Sequence, residues 1–493
     1  MHVQLRLDGR HPRRWHSDLL RDLSALPGFD ISVDASLGPE PWPAGASLLF
    51  DFETLLNGIA AKHSAVVPLT NLAPFQNAPP GTPDLILDLC GDVQADSGAR
   101  VWQLQFSGTP GESALLGCLL DGNFPLVAIM EKNRTIHAGR PGSERGDVIL
   151  ISFDDVLGRA RSLILTAIAF EGSGVDRPMP TANDALVQSA LLPLRLARAG
   201  GRELARKLAR YLYRMCFRTP QWRTGWRTLN GPDLYDLRAH PDGGWHDIPD
   251  DGSRFYADPF AIEHQGKVFL FVEDFPHKTQ KGLISAVEMG PQGPIGAPQP
   301  VLEAGCHLSY PFVFEADGQM WMIPETSGAR TIELYRATQF PAGWVRESIL
   351  VSDLVAGDAT LCQHDGLWWM FATVQDDGGA FSDALYLWSA SDFRGPWTQH
   401  PRNPVLVDIA SARPAGQIVN RGGQMLRPVQ DSRKGYGTAL GIARITQLDH
   451  EGYAQVVETQ IVPGSKWPGR RLHTLNSAGG FEFIDGEGRA RRW

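Results

Sequence analysis

The fold is decided by a repeated stretch that first appears as ADPFAIEHQGKVFLFVED at residues 257–274. Three further stretches can be laid over it: SYPFVFEADGQMWMIPET at 309–326, GDATLCQHDGLWWMFATV at 357–374 and SARPAGQIVNRGGQMLRPVQD at 411–431. Each opens with a short strand, turns at a glycine and continues into a second, mostly aromatic-rich strand. A weaker fifth unit, HTLNSAGGFEFIDG, begins at His473.

The spacing of these units predicts the architecture. The residues that open the units follow one another at intervals of 52, 48, 55 and 60 positions: Asp258, Tyr310, Asp358, Arg413 and His473. A unit of about 50 residues with four short strands is typical of a propeller blade, and a closed ring of blades leaves no exposed sheet edge. The sequence therefore predicts an all-β, five-bladed β-propeller over residues 231–493. Its innermost strands would bring the opening residues to one central channel.

Four carboxyl groups are the candidate catalytic residues of this channel. Asp258 and Asp358 open the first and third units, and Glu273 and Glu325 each lie 15 residues after the opening residue of their own unit. Glycosidic cleavage needs one carboxyl group to donate a proton and another to attack or to activate water. Crowded carboxylates also raise one another's pKa, which supplies the proton donor.

The ordered motifs of this region resemble a known family. SYPFVFE, IPET, LYRA, GDATL, RPAG, RPVQD, YG and HTLN together are similar to the propeller domain at the N-terminal side of plant glucosamine inositolphosphorylceramide transferases and in bacterial relatives. More broadly, YADPF, GDAT and RPAGQ resemble motifs of the arabinanase, invertase and β-mannoside phosphorylase propellers. The resemblance covers roughly residues 233–493. It implies that Asp258 is the general base or nucleophile and that Asp358 orients the sugar and tunes a neighbouring pKa.

One position departs from the arabinanase-like pattern. Where that pattern has an acidic proton donor at the start of the fourth blade, this chain has Arg413, which cannot act as a general acid near neutral pH. Glu325 and Glu273 are the expected substitutes. Arg413 and Arg427 are expected to bind the ligand, because a guanidinium pairs bidentately with carboxylate or phosphate. An anionic sugar or a glycolipid phosphate is therefore favoured over neutral arabinan.

Other polar residues of the repeat are expected to contact sugar hydroxyl groups: His307, His473, Gln430 and Asn476. No cofactor-binding motif and no metal-ligand spacing is visible. The five cysteines are scattered and include no CxxC pair. The sequence thus predicts a sugar site without a cofactor or a metal.

Residues 1–178 are predicted to form an α/β domain with a largely parallel sheet, since short apolar runs alternate with helical stretches. The order PDLILDL, GARVWQLQF, ALLGCLLDGNFPLVAIM and ERGDVILIS resembles the second part of a formyltransferase domain, which implies a Rossmann-type fold. In active members, the matching places carry Asn, His and Asp. Here they are Gln103, Gln105 and Glu144, so the domain is expected to be a degenerate scaffold.

Residues 179–230 are predicted to form a basic amphipathic linker. Leu, Ala and Arg recur at spacings of three and four, and Gly200 and Gly201 are expected to split the segment into two helices. One interpretation is an interdomain helix packed on an acidic neighbour. The other is a helix on an anionic membrane surface through 190–228, with aromatic residues at the interface: Tyr211, Tyr213, Phe217, Trp222 and Trp226.

The totals set the remaining expectations. The 493-residue chain carries a net charge of −9, which argues against nucleic-acid binding. No signal-peptide pattern and no 18-residue apolar run appears, so a cytoplasmic location is expected, with the inner membrane face as the alternative. We expect a carbohydrate-active enzyme that hydrolyses or transfers at a glycosidic bond of a surface glycan or glycolipid precursor. The alternatives are a non-catalytic glycan-binding or glycan-assembly module, and an amino-sugar formyltransferase.

Overall fold

The structure is a computed structural model that describes residues 1–39, 41–77, 79, 81–94, 98–170, 192–376 and 378–492. The chain divides into two compact units. One comprises Met1–Leu208 with a short segment that ends at Ala380, and the other comprises the rest of the chain.

The first unit is built on a mixed sheet. From one edge, the strands follow the order Asp30–Asp34, His2–Arg6, Leu85–Asp88, Arg100–Phe106, Val127–Glu131 and Arg134–Gly139, and the short strand Thr109–Pro110 pairs with Arg100–Phe106. The first three pairings are parallel and the last two are antiparallel. Helices cover the sheet at Arg14–Ala25, Ala46–Asn57, Glu112–Leu120 and Ile149–Ala169, with a 3₁₀ segment at Leu69–Phe75. This arrangement does not confirm a Rossmann-type or formyltransferase-like fold.

Two of the short apolar runs in residues 1–178, which the sequence predicts to be strands, are helical. SLLFDF lies inside Ala46–Asn57, and DVILISF leads into Ile149–Ala169. The buried positions of the first helix include Ala46, Leu49, Phe50 and Glu53, which is a helical period. Short apolar runs do not distinguish a strand from a buried helix segment, and this ambiguity is the reason for the error.

The predicted basic linker is partly helical and partly strand. Its beginning, 179–191, lies outside the described residues. A single helix spans Leu192–Cys216 and passes through Gly200 and Gly201, so the predicted split is wrong. The segment after it forms a strand, Trp222–Thr228, that belongs to the propeller. Among the described residues, no helix combines the length and apolarity needed to cross a membrane.

Five antiparallel sheets in the described part of the second unit confirm the five-bladed β-propeller. Blade 1 contains Arg254–His264, Lys267–Pro276, Leu283–Gly290, Gly293–Pro294 and Gln299–Leu302. Blade 2 contains Ser309–Ala316, Gln319–Thr326, Thr331–Gln339 and Ala342–Ser352, with a 3₁₀ turn at Ser327–Ala329. Blade 3 contains Val355–His364, Leu367–Gln375, Ala384–Ala390, Thr398–Gln399 and Leu406–Val407. Blade 4 contains Val419–Arg421, Gln424–Asp431, Ala439–Leu448 and Tyr453–Ile461.

Blade 5 closes the ring with strands from both ends of the unit. Its inner strands are Leu475–Ala478 and Phe481–Glu487, and its outer strands are Trp222–Thr228 and His246–Asp247, next to a one-turn helix at Leu234–Leu237. Phe481–Glu487, near the end of the unit, pairs with Trp222–Thr228, near its start, and this pairing within one blade closes the ring. The propeller therefore begins near residue 222 and not at residue 231.

The repeated glycines form one recurring turn. In every blade, the first two strands are joined by two residues with positive φ: Gln265–Gly266, Asp317–Gly318, Asp365–Gly366, Gly422–Gly423 and Gly479–Gly480. Positive φ at both central residues is the signature of a tight hairpin turn that matches strand twist. This turn fixes the register of each hairpin, and it is the reason that a glycine recurs at the same place in the repeat.

Candidate functional site

Three blade-opening residues share an unusual backbone conformation. Asp258, Tyr310 and Asp358 have φ angles of 49°, 43° and 57°, in the left-handed region that non-glycine residues seldom adopt. Each occurs at a register shift between the two inner strands of its blade. Residues held in such conformations cost about 1–3 kcal/mol each and cluster at functional sites. Because the same bulge occurs in three blades, we take the region around these three residues as the candidate site.

Asp258 is held by a buried imidazole. The Nε2 atom of His473 lies 3.3 Å from Oδ1 of Asp258, and the Nδ1 atom of His473 lies 2.7 Å from Oδ1 of Asp485. Asp485 also accepts a hydrogen bond from the backbone N–H of Asp258 at 2.9 Å. The carboxylate of Asp258 accepts further hydrogen bonds from Thr474 Oγ1 at 3.1 Å and from the backbone N–H of Tyr310 at 3.2 Å. Asp258 is therefore fixed in position and surrounded by donors.

The electrostatics keep Asp258 ionised and His473 protonated. Although burial opposes charge, the carboxylates of Asp485 and Asp258 raise the pKa of His473 to about 10. Burial alone would raise the pKa of Asp258, but His473 together with the hydrogen bonds from Tyr310 and Thr474 outweighs burial and lowers that pKa. An ionised carboxylate at this place can act as a base or a nucleophile.

Glu273 lies beside a second histidine, and its surroundings favour the protonated carboxyl group. Burial, reinforced by the charge of Asp258, raises the pKa of Glu273 well above its usual value. The Nε2 atom of His307 lies 3.3 Å from Oε1 of Glu273, while the Nδ1 atom of His307 accepts a hydrogen bond from the backbone N–H of Gly282 at 2.8 Å. Because Nδ1 is an acceptor, the proton of the neutral imidazole lies on Nε2 and faces Glu273.

Glu325 is the second neutral acid of the cluster. Burial raises the pKa of Glu325 to about 8, and the charge of Asp358 acts in the same direction against Arg413. Ser327 Oγ donates a hydrogen bond to Oε1 of Glu325 at 2.7 Å. The other oxygen, Oε2, accepts no hydrogen bond among the described residues and lies 3.6 Å from the guanidinium of Arg413. Glu325 thus carries a proton at neutral pH, as a general acid must.

Asp358 is paired with Arg413 inside the protein. The Nε atom of Arg413 donates to Oδ2 of Asp358 at 2.6 Å, and the terminal NH2 group donates to Oδ1 at 3.4 Å. Gln430 Nε2 donates to the same Oδ2 atom at 2.9 Å, and its own Oε1 atom has no hydrogen-bond partner in the described chain. Both members of the pair are buried. Arg413 is therefore neutralised by Asp358, which removes the main argument for an anionic ligand at this residue.

Aromatic rings flank the cluster. The ring of Trp222 lies 4.4 Å from the imidazole of His473, and the ring of Tyr436 lies 5.2 Å from it. The guanidinium of Arg413 lies 4.8 Å from the ring of Tyr436 and 4.9 Å from that of Phe381. Aromatic faces of this kind pack against the apolar faces of ligands and hold cations nearby.

Two residues that the sequence predicts to bind substrate form hydrogen bonds with backbone groups instead. Arg427 donates to the carbonyl oxygens of Ser411 and Ala412, and it lies between strands with its guanidinium 5.6 Å from the ring of Phe371. Asn476 accepts from the backbone N–H of Gln417 at 2.8 Å and donates to the carbonyl oxygen of Pro259 at 2.7 Å. These contacts tie neighbouring blades together, so the predicted sugar contacts of Arg427 and Asn476 are not favoured by the geometry.

One group of side chains has the spacing of a metal site. Potential ligand atoms of Asp258, His473 and Asp485 all lie within 4.8 Å of one another. However, each nitrogen of His473 already contacts one of the two carboxylates. A protonated imidazole between two carboxylates satisfies the same charges as a cation would, so this geometry fits an imidazolium better than a metal ligand set.

The first unit contains a separate cavity of about 720 Å³. It lies beyond the carboxyl ends of the strands His2–Arg6 and Leu85–Asp88, where the strand order changes direction and where ligands of α/β folds usually bind. Arg13 and Trp15 donate hydrogen bonds to Glu112 in its wall. The neighbouring strand contributes Leu104 and Phe106 to the lining, whereas Gln105 donates a hydrogen bond to Gln103 at 2.6 Å on the other side of that strand. The positions singled out for formyl transfer are thus not those that face this cavity.

Sequence reasoning brought the main carboxylates together but missed several of their partners. Glu273 pairs with Ala257, and Glu325 pairs with Ser309, so both occupy the equivalent register expected from the 15-residue interval. Asp485 was missed although it follows the fifth glycine turn, because its unit is shorter than the others. Trp222 was missed because it precedes blade 1 and was taken for part of the basic linker.

The propeller region matches a described family. Residues 247–479 match the family model described as "Glucosamine inositolphosphorylceramide transferase 1, N-terminal". The glucosamine inositolphosphorylceramide transferase 1 proteins of Oryza sativa subsp. japonica and of Arabidopsis thaliana are 33% identical over 252 residues and 30% identical over 249 residues, respectively. The match covers 48% of this chain and 33% or 32% of those proteins, so it spans about a third of their length.

Solved structures are similar at lower identity. An exo-β-1,3-galactanase from Phanerochaete chrysosporium is 13% identical with a TM-score of 0.35, covering 43% of this chain and 53% of the other. A family 117 glycoside hydrolase from Zobellia galactanivorans is 12% identical with a TM-score of 0.35, covering 54% of this chain and 90% of the other. Residues 247–479, which match the family model, include Asp258, Glu325 and Asp358 of the carboxylate cluster.

Proposed function

We propose that this protein acts on a glycosidic bond through the carboxylates of its propeller. The observation that carries the proposal is one buried cluster in which His473 holds Asp258, while Arg413 pairs with Asp358 and lies 3.6 Å from Glu325. The pKa of Asp258 is lowered by His473, whereas burial raises the pKa of Glu325 to about 8. Pairs of carboxyl groups with separated pKa values are the arrangement that acid–base catalysis of glycosidic cleavage requires.

The roles follow from the contacts. Asp258 serves as base or nucleophile, since it is ionised and rigidly held. Glu325 serves as the proton donor, and Glu273 is the alternative donor because its pKa is also raised. Burial raises the pKa of Glu325, and Asp358, held by Arg413, raises it further.

The substrate class is a glycan or a glycolipid. Gln430 Oε1 is an unpartnered buried acceptor that a sugar hydroxyl group would satisfy, and the unpartnered Oε2 of protonated Glu325 would donate to a sugar oxygen. The plant relatives are named for transfer of glucosamine to inositolphosphorylceramide, which supports a glycolipid or its precursor as the substrate. The reaction is hydrolysis or transfer. A cytoplasmic location, or one at the inner membrane face, belongs to the same proposal.

A non-catalytic glycan-binding module is the second candidate, because Arg413 stands where the related pattern carries its proton donor and pairs with Asp358. Incubating the full chain with a panel of glycans and glycolipids distinguishes an enzyme from a binding module. Products are followed by mass spectrometry, and binding is followed by calorimetry. The proposal expects at least one substrate whose product is absent with Asp258→Asn. Binding to panel members without any product, at every pH from 5 to about 9, would favour the module.

A further inference from the structure

The helix Leu192–Cys216 exposes an apolar face. Leu204, Leu208, Leu212 and Met215 recur at spacings of four, four and three residues, which places them on one side of the helix. Their exposed fractions are 55%, 58%, 53% and 50%, and Tyr211 beside them is 65% exposed. Apolar side chains grouped in this way on a surface mark an interaction site.

Another side of the helix contacts the rest of the first unit. Leu196 is buried, and the buried carboxylate of Glu203 accepts a hydrogen bond from Asn57 at 2.5 Å. Arg195 forms an ion pair with Asp121 at 2.6 Å, and Lys207 donates to the carbonyl oxygen of Leu56. The exposed apolar face is therefore not the face that the helix uses for folding.

The charge of the helix indicates the partner. It carries seven basic residues and one acid, Glu203, whereas the whole chain has a net charge of −9. Arg198, Arg202 and Arg206 are exposed, and the helical period places Arg202 and Arg206 on the side of the helix turned away from the apolar face. A helix with an apolar face and a cationic polar face has the chemistry of a helix that lies in the interface of an anionic bilayer.

We propose that this basic helix binds the surface of a membrane containing anionic lipid. The apolar face enters the boundary between headgroups and acyl chains, and the exposed arginines of the helix attract the anionic headgroups. The inference is independent of the channel chemistry, and it concerns where the protein is held. It would place the propeller at the surface on which a lipid-linked glycan is found.

The test is co-sedimentation of the purified full chain with vesicles of phosphatidylcholine alone or with one third phosphatidylglycerol, at low and at molar salt. We expect binding to the anionic vesicles only, weakened by salt. Leu208→Glu with Leu212→Glu, and separately Arg202→Glu with Arg206→Glu, should each weaken binding by at least about tenfold.

Matched controls use equally exposed residues elsewhere. Leu37→Glu with Leu55→Glu, and Lys278→Glu with Arg489→Glu, should bind like the parent protein. Circular dichroism and size-exclusion chromatography verify that every variant is folded. Absence of binding to anionic vesicles at low salt would overturn the proposal. So would helix variants that bind normally, or a helix-dependent dimer that does not sediment with vesicles and thereby identifies the face as a self-interface.

Discussion

Nε2 of His473 lies 3.3 Å from Oδ1 of Asp258 and joins the start of the fifth blade to the start of the first. The two residues are 215 positions apart in the chain, and the closed ring of blades brings them together. This contact determines the charge of the residue to which we assign the base or nucleophile role.

The first prediction concerns that contact. In His473→Gln the imidazolium is lost, so the pKa of Asp258 rises and less of the carboxylate is ionised in acid. The acidic limb of the kcat/KM profile should move to higher pH by about one unit or more. Asp485→Asn should move it in the same direction, because Asp485 supports the charge on His473. An acidic limb that stays at the same pH in both variants would show that His473 does not control the ionisation of Asp258.

The second prediction concerns the proton donor. Since the pKa of Glu325 is raised to about 8, the activity of the parent protein should fall as pH rises through that value. Glu325→Gln should lower the rate by about 10²-fold or more on natural glycans. It should have a much smaller effect on an aryl glycoside whose leaving group needs no protonation. Glu273→Gln is the comparison, and the same pattern in that variant alone would assign the donor to Glu273.

The third prediction concerns the pair formed by Arg413 and Asp358. Removing one member of a buried ion pair leaves an uncompensated charge, which typically costs about 3–5 kcal/mol. Arg413→Gln should therefore lower the thermal midpoint of the propeller clearly. Arg413→Gln combined with Asp358→Asn should recover part of the loss, because no unpaired charge remains. Calorimetry of both variants checks this, and equal midpoints for the single and the double variant would contradict it.

The fourth prediction concerns stability against pH. The pKa of Glu325 is raised in the folded protein, so the protonated form is favoured and stability falls as pH rises from about 4.5 through about 8. The raised pKa of His473 acts in the same direction, since its contribution is complete below about 6.5 and is lost as pH rises through about 10. Urea unfolding should show a less stable propeller at pH 9 than at pH 6. Glu325→Gln should reduce that difference, and a parent protein that gains stability over this range would refute the assigned charges.

The hairpins and their register could be predicted from the sequence, because they depend on residues that are close together in the chain. The glycine turns at Gly266, Gly318 and Gly366 mark hairpins whose conformation demands positive φ, so the repeat indicated both the blades and their register. Glu273 and Glu325 were found in the same way, because equal intervals from a fixed turn lead to equal places on a strand.

Other features depend on contacts between distant segments. From the sequence, Trp222–Thr228 belongs to the predicted basic linker. Its pairing with Phe481–Glu487 in the structure makes it a propeller strand. The sequence predicts that the guanidinium of Arg413 binds a ligand. In the structure it is bound to Asp358, which the fold brings next to it from the third blade. Arg427 shows the same limitation, because its carbonyl partners Ser411 and Ala412 lie at the start of the same repeat unit and come within its reach only when the chain folds.

The most direct test of the catalytic account compares Asp258→Asn with Asp365→Asn on a glycan that the parent protein turns over. Asp258 and Asp365 both have left-handed backbone angles in inner-strand hairpins, with φ of 49° and 48°, but Asp365 lies in an exposed turn. We expect Asp258→Asn to abolish product formation while sugar binding remains within about threefold, and Asp365→Asn to behave like the parent protein. Unchanged turnover by Asp258→Asn would contradict the account.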